Sequence, residues 1–397
     1  MSTEDIYAVL NNTLVHRLPT ISKLPADITF GCADIKYNPK NGESVLKFCE
    51  CGDGIYMSFR TASVELNNHI QDVVSPYWGI FWNYIKSFGL PFWLVENCDY
   101  QNALALQECK RLGGHYVSSL NDLERNPVFK RSKCAAPTNK ADIKSYKGII
   151  VFRANTEKAR EGETFCKFKK RNPEFLYVNA MARHYFKRKD NTYALFANAG
   201  LSKYIPQFVT MSAEYNNTLA HRILGSVASN PLIVKPAFSS LSMGVNTVER
   251  QDLDALLKLL LKDYRKIDSD AHRCFLYWRQ ARPRQMVAAE YVPSKTIYKD
   301  GKPYDPTMRV VFMMHHDGDT VSINVIAGFW KIPVKSLIDD VPLTEKTITI
   351  AHAGAYYSGI FVDRNDWNDI KSILHSILPE LYITMLKQGI PNHSSPK

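Results

Sequence analysis

Between Pro91 and Ala154 the chain runs PFWLVEN, then YQNALALQECKRLGG, then, after a polar loop rich in Lys and Asn, KGIIVFRA. The outer two segments are short apolar strands. The middle one is an amphipathic helix stopped by glycine, which tolerates the left-handed turn past a helix end. A strand, a helix and a second strand in that order predict an α/β lobe with some parallel sheet. The 397 residues leave room for two or three packed lobes.

Flanking segments extend this pattern. ADITFGCADIKYNPKNGESVLKFCECGDGI reads as a β-hairpin, with a strand near Ile35–Tyr37, a turn at NPKNG and a return over Val45–Cys49. Simple alternation puts Phe48 and Glu50 on one face, with Glu50 at the rim of an apolar surface. From Pro173 onward the expected elements are strand FLYVN, a basic segment, helix TYALFANAGL, IPQFV, helix EYNNTLAHRILGSV and strand PLIVKP. A strongly periodic helix, QDLDALLKLLLKDYRK, follows, then strands QMVAAEYV, MRVVFMMHH and VSINVIAG with HDGDT as a hairpin turn. The last helix is NDWNDIKSILHSILPELYITMLKQ. His315 and His316, at a hairpin end, read as surface residues rather than ligands.

Hydrophobic content of 45% with 22% charged residues excludes disordered and fibrous classes. The opening MSTEDIYAVLNN is unlike a signal peptide, and the aromatic run PYWGIFWNYI is broken by Lys86 before it could span a membrane. Eight cysteines fall without a disulfide rhythm, and Cys49-x-Cys51 alone is a poor zinc half-site. Free thiols in a soluble cytoplasmic protein are therefore expected. The net charge of +11 concentrates in KFKKRNPEF, followed by Arg183, Lys187, Arg188 and Lys189. That run suits a solvated face, a nucleic-acid patch or a socket for a polyanion such as a triphosphate. No RNA- or DNA-binding signature accompanies it, which disfavours nucleic acid.

The segment PLIVKPAFSSLSMGV carries the most chemistry. Lys235 ends an apolar strand, and a small-residue loop containing Ser239, Ser240, Ser242 and Gly244 follows. Backbone N–H groups, hydroxyls and an ammonium together suit a triphosphate. GxxxxGK[ST] is absent, so this is not a P-loop; read alone, it is equally an ordinary surface turn. Its neighbours are Lys189, opening a helix that ends in Ala-Gly-Leu before Ile-Pro, the strand that ends at Glu290, and a strand containing Arg309.

That order of motifs resembles the ATP-grasp superfamily, whose nucleotide lies between two α/β lobes. The resemblance implies that Lys189 and Lys235 hold the phosphates, with Lys187 competing for the Lys189 role. Ser239, Ser240, Ser242 and Gly244 would close over them, and Glu290, Tyr291 and Val292 would form the hinge beside adenine. Superfamily chains usually end with an aspartate strand and a Glu-x-Asn strand that hold magnesium. Here the matching hairpin stands at the front, with Asp34 and Glu50 as the oxygen donors Mg²⁺ prefers. This looks like the circularly permuted members, the glutathionylspermidine synthase-like carboxylate–amine ligases. Two departures stand out. Glu-x-Asn is Glu50-Cys51-Gly52, leaving a third metal ligand unassigned, with Asn324 or Asp53 as substitutes. The arginine two residues before the aspartate is Cys32.

By the same resemblance Arg309 stabilises the transferred phosphoryl group, unless it is a structural ion pair to a core carboxylate, and Lys331 and His352 line the acceptor side. The expected fold is α/β, a circularly permuted ATP-grasp core with an inserted pre-ATP-grasp-like lobe. Residues 1–85 would carry the metal hairpin, 86–172 the inserted lobe and 173–397 the nucleotide-binding lobes. The implied activity is ATP- and Mg²⁺-dependent ligation of a carboxylate to an amine or thiol through an acyl-phosphate. Its rivals are a non-catalytic nucleotide-binding protein and a basic nucleic-acid-binding protein.

Overall fold

Strands from both ends of the chain build one antiparallel sheet. It comprises β1 (Leu14–Arg17), β2 (Asp27–Lys40), β3 (Glu43–Gly52), β14 (Thr307–Asp317), β15 (Thr320–Ile332) and β16 (Ser358–Phe361). The order is β1-β15-β14-β2-β3, with β16 also on β15. The computed structural model describes residues 13–40, 43–52, 75–97, 103–132, 137–154, 159–239, 242–348 and 358–389. Both sheet faces are buried, so its strands carry apolar residues on each. Ala33, Ile35 and Tyr37 of β2 join Met308, Val310 and Phe312 of β14 under the C-terminal helix Arg364–Gln388. Ile28, Phe30 and Cys32 face the other way with Val311 and Met313, against Trp78, Phe81 and Trp82 of helix Ser75–Ser87. Gly328 lets the C-terminal helix come close, since a Cβ there would lie 2.5 Å from the Trp367 ring.

The second core continues into a parallel sheet of β4 (Phe92–Asn97), β5 (His115–Val117), β6 (Ile149–Ala154) and β7 (Leu176–Tyr177), ordered β5-β4-β6-β7. Helix Ala103–Arg111 connects β4 to β5 and is followed by Gly113 at φ +90°, as its sequence implies. The sheet takes in Leu176 and Tyr177, so the lobe reaches past residue 172. A third sheet is antiparallel: β8 (Phe208–Ser212), β9 (Leu232–Pro236), β10 (Asn246–Val248) and β11 (Gln285–Glu290), ordered β10-β9-β11-β8. A short hairpin, β12 (Ile297–Lys299) with β13 (Lys302–Tyr304), leads into β14.

Two expectations change. The periodic stretch from Gln251 is not one regular helix: a 3-10 turn leads into α-helix Leu253–Leu257, then a π-turn over Lys258–Lys262 and a second 3-10 turn. The run Leu256-Leu257-Lys258-Leu259-Leu260-Leu261 places leucines on every side of a regular helix. Widening the turn brings Leu259, Leu260 and Leu261 all onto the core beneath β9 and β11. The two histidines are also not surface residues. His316 is fully buried, its ring nitrogens 3.0 Å from the Pro25 carbonyl and 2.8 Å from that of Gly318. His315 packs against Tyr84 and Phe88, and burial pushes it down to about 4. The apolar helix Ser75–Ser87 covers this end of the sheet, which local sequence near the hairpin does not reveal.

Candidate functional site

A cleft separates the central sheet from the β8–β11 sheet, with about 760 Å³ of empty space counting its open mouth, within the range of small-molecule sites. Its walls follow from strand alternation. On β2 the face that carries Ile28, Phe30 and Cys32 against the parallel sheet runs on into the cleft as Asp34 and Lys36. On the opposite wall, β9 contributes Ile233 and Lys235, and β11 contributes Ala289 and Glu290, followed by Tyr291 and Val292.

Asp34 and Glu50 are register partners across β2 and β3, with Cβ atoms about 5 Å apart by the geometry of such pairs. The next pair is Ile35 with Phe48, which leaves Cys49 as an extra residue: a β-bulge. It overturns the simple alternation. Phe48 and Cys51 both point into the helix-covered core, while Glu50 points into the cleft. Released from the ladder, the Cys49 carbonyl accepts from Tyr193 Oη at 2.8 Å and from Lys235 Nζ at 3.1 Å.

Three cations bear on these acids. Arg309 grips Asp34 with two bonds, Nε to Oδ1 at 2.8 Å and Nη2 to Oδ2 at 2.9 Å, and Lys331 Nζ reaches Oδ2 at 2.7 Å. Burial alone would raise the Asp34 carboxyl, but the two cations and their hydrogen bonds hold it well below the usual range. Glu50 is less engaged: Lys189 Nζ lies 3.6 Å away, and its side chain keeps 30% exposure. Lys189 opens helix Lys189–Asn198, is 4% exposed and donates to the Ser239 carbonyl at 2.6 Å and hydroxyl at 3.2 Å. Lys235 donates to Tyr193 Oη at 2.8 Å. Burial pushes its ammonium down to about 8; the Lys189 charge adds to the shift, while Cys49, Glu50 and Asp34 oppose it.

Two carboxylates on adjacent strands fit Mg²⁺, which commonly takes one or two protein carboxylates and completes its shell with phosphate oxygens and water. Among the described residues no group of three or more His, Cys, Asp or Glu side chains forms a cage of its own. The cleft also offers apolar lining, from Pro206, Ile233, Val245, Ala289, Val292 and Ile348. Charged groups and apolar surface thus share one cleft.

Other expected residues take definite places. Ser242 and Gly244 both adopt left-handed backbone, at φ 56° and 75°. Only glycine fits the second, because a Cβ would come within 2.6 Å of the Pro236 ring. Ser240, Asp53 and His352 lie outside the described residues. Lys187 sets its ammonium 5.2 Å from the centre of the ring of Phe238, the residue before Ser239. Asn324 does not reach the acids. It pairs with Met313, which pairs with Phe30, four residues along β2 from Asp34, or about 13 Å. Sequence reasoning missed Lys36 and Cys49 in the cleft lining and Tyr193, which bonds to Cys49 and Lys235. Only Lys36 had a signal, two residues beyond Asp34 on the same strand face.

No protein-family model matches the chain, and no curated protein matches it. Solved structures do. A D-cycloserine synthetase matches at TM-score 0.41 and 12% identity, over 75% of this chain and 82% of the other. A glutathione synthetase-like effector from Globodera pallida matches at TM-score 0.40 and 11% identity, over 87% and 80%. The VanG D-Ala:D-Ser ligase of Enterococcus faecalis matches at TM-score 0.33 and 12% identity, over 60% and 55%. By their names these three are a synthetase, a glutathione synthetase-like effector and a ligase.

Proposed function

We propose that this protein is a circularly permuted ATP-grasp ligase, which uses Mg-ATP to activate a carboxylate and passes the acyl group to an amine or thiol. The observation that carries the reading is the convergence on one cleft of Lys189, Lys235, Asp34, Glu50 and Lys331, with Arg309 gripping Asp34. In the proposed reaction a carboxylate oxygen bonds to the γ-phosphorus as the bond to ADP breaks. The amine then attacks the acyl carbon, phosphate leaves with the C–O electron pair, and the amine proton passes to solvent. Lys189, Lys235, Ser239, Ser240, Ser242 and Gly244 would hold the phosphates, and Glu290, Tyr291 and Val292 would border adenine. Asp34 and Glu50 would hold Mg²⁺, which supplies charge neutralisation when bound. Arg309 and Lys331 would stabilise charge on the transferred group, where guanidinium geometry and fixed ammonium position are worth most. No covalent enzyme intermediate is required; positioning and charge carry the rate.

The permutation reading is supported by the front hairpin β2–β3, which extends the sheet formed by the late strands β14 and β15. On this reading residues 1–85 belong to the core, the inserted lobe begins at 86 and runs past 172 to include Leu176 and Tyr177, and the remainder carries the nucleotide. A cytoplasmic setting accords with six free cysteines among the described residues. Among those residues no helix is long and apolar enough to cross a membrane.

One observation favours a second reading, a nucleotide-binding protein without ligase activity: Cys51, which follows Glu50, is turned into the core and is not available to a metal there. Calorimetry with Mg-ATP, followed by an ADP-release screen of acids crossed with amines, separates the two. Acid- and amine-dependent ADP release supports the ligase; ATP binding without release supports the second. RNA or DNA binding that falls steeply with salt, with no response to ATP, would sink both.

A further inference from the structure

Asp305 lies in the connection between β13 and β14 and is 3% exposed. Its Oδ2 accepts from Lys36 Nζ at 2.9 Å and from Tyr291 Oη at 2.7 Å, and its Oδ1 accepts from Ser294 N–H at 2.7 Å. Lys36 makes two further bonds, to the Asp305 carbonyl at 3.4 Å and the Pro306 carbonyl at 2.9 Å. Beside this knot the chain is stitched to β2 twice more: Lys295 N–H donates to the Tyr37 carbonyl at 2.7 Å, and Tyr37 N–H to the Ser294 hydroxyl at 3.3 Å.

These bonds lie where the chain leaves the β8–β11 sheet at Glu290 and crosses to the central sheet. Tyr291 and Val292 line the cleft, where the nucleotide reading puts the adenine ring, and Lys36 shares a strand face with Asp34, which also lines it. A single buried carboxylate thus joins the wall beside the ring subsite to β2, the strand that carries Asp34. Three donors on one carboxylate also hold it in one orientation, because each lone pair used removes a rotamer.

We propose that Asp305 is a positioning residue that fixes the ring subsite relative to the phosphate-binding end. It would do so by locking Tyr291 and Ser294 to Lys36. This rests on the nucleotide reading above and adds to it a residue that touches neither base nor phosphate. Lys189 and Lys235 make no bond to Asp305, so the lock sets where the ring lies and leaves the phosphate contacts alone.

The test compares binding of Mg-ATP and of Mg-tripolyphosphate, by calorimetry, in the wild type and in Asp305→Asn, Tyr291→Phe and Lys36→Met. Asp305→Asn is expected to weaken ATP about 10-fold, the scale of one or two lost hydrogen bonds, and to change tripolyphosphate affinity less than about twofold. Tyr291→Phe removes one bond of the knot, leaves a ring in place and should reproduce part of the ATP loss. Wild-type ATP affinity in folded Asp305→Asn, or equal losses for ATP and tripolyphosphate, overturns the proposal. Should Asp305→Asn fail to fold, wild-type ATP affinity in folded Tyr291→Phe overturns it instead. A wild-type protein that binds no ATP removes the nucleotide reading itself, a result distinct from either.

Discussion

Lys235 is the side chain whose chemistry is most constrained by its surroundings. In the unfolded chain its ammonium titrates near 10.5, and in the cleft near 8. Between those values the unfolded state holds a proton that the native state has shed. Native stability therefore rises with pH across that window, because the cost of the buried charge is present below about 8 and is relieved above it. A triphosphate has the opposite requirement, since it is held by the ammonium and not by the amine. ATP affinity should fall as pH rises through about 8, and calorimetry from pH 7 to pH 9.5 checks this. Lys235→Met should bind weakly with no such inflection; a wild-type inflection retained in the mutant would place the titrating group elsewhere. Arg309 makes a different case. Removing it leaves Asp34 with Lys331, so Arg309→Met should lower stability by about 3 kcal/mol, the scale of a broken buried pair. Nucleotide binding should persist while single-turnover ADP release drops by about 10²-fold or more. A loss of activity no larger than the loss of folded protein would mark the arginine as structural only.

At the scale of elements, periodicity and turn residues were readable, and bulges were not. The strand near Ile35–Tyr37, PLIVKP, MRVVFMMHH and the glycine-stopped helix all stand where alternation and the 3.6-residue period put them. Lys189, Lys235, Asp34 and Glu50 could be singled out only through the order of motifs that resembles the ATP-grasp pattern, since a lysine before a small-residue loop and two acids on a hairpin are by themselves ordinary surface features. Tyr193 and Asp305 could not be found this way. Their partners, Cys49 and Lys235 for one and Lys36 for the other, lie far away along the chain or on a distorted strand. Cys49 shows why. One extra residue in β3 reverses which face Phe48 takes relative to Glu50, and nothing in VLKFCECG announces it. The bulge makes its own prediction. Deleting Cys49 should keep the pairing of Asp34 with Glu50 and of Ile35 with Phe48, since those residues then become consecutive on both strands. The carbonyl that holds Lys235 and Tyr193 would be lost. A cooperative thermal melt with ATP affinity reduced about 10-fold is expected, from two lost hydrogen bonds; unchanged affinity would deny the bulge its role.

The whole molecule is closed by long-range pairing. β2 lies against β14 from Asp27 beside His316 to Ile35 beside Met308, and Asp34 meets Arg309 across 275 residues of chain. Residues far apart in sequence must therefore meet before the central sheet exists, which predicts slow folding with a large loop-closure cost. The same topology allows a direct test of the permutation. If the front hairpin occupies the place that the final hairpin holds in an ordinary ATP-grasp chain, chain order should be dispensable. A gene that begins at residue 75, continues to 397, crosses a flexible Gly/Ser linker to residue 1 and ends at 74 restores the ordinary order. Every strand pair described for the central sheet survives, because the cut falls between β3 and helix Ser75–Ser87. This rearranged protein should melt cooperatively and bind Mg-ATP within about threefold of the parent. The fragment 75–397 without the hairpin should not, since β14 would lose its partner strand and Arg309 its carboxylate. A folded, ATP-binding 75–397 fragment would show that the hairpin is not part of the site. A rearranged chain that folds yet binds no ATP would show that the hairpin's place in the sheet and its role at the cleft are separate matters.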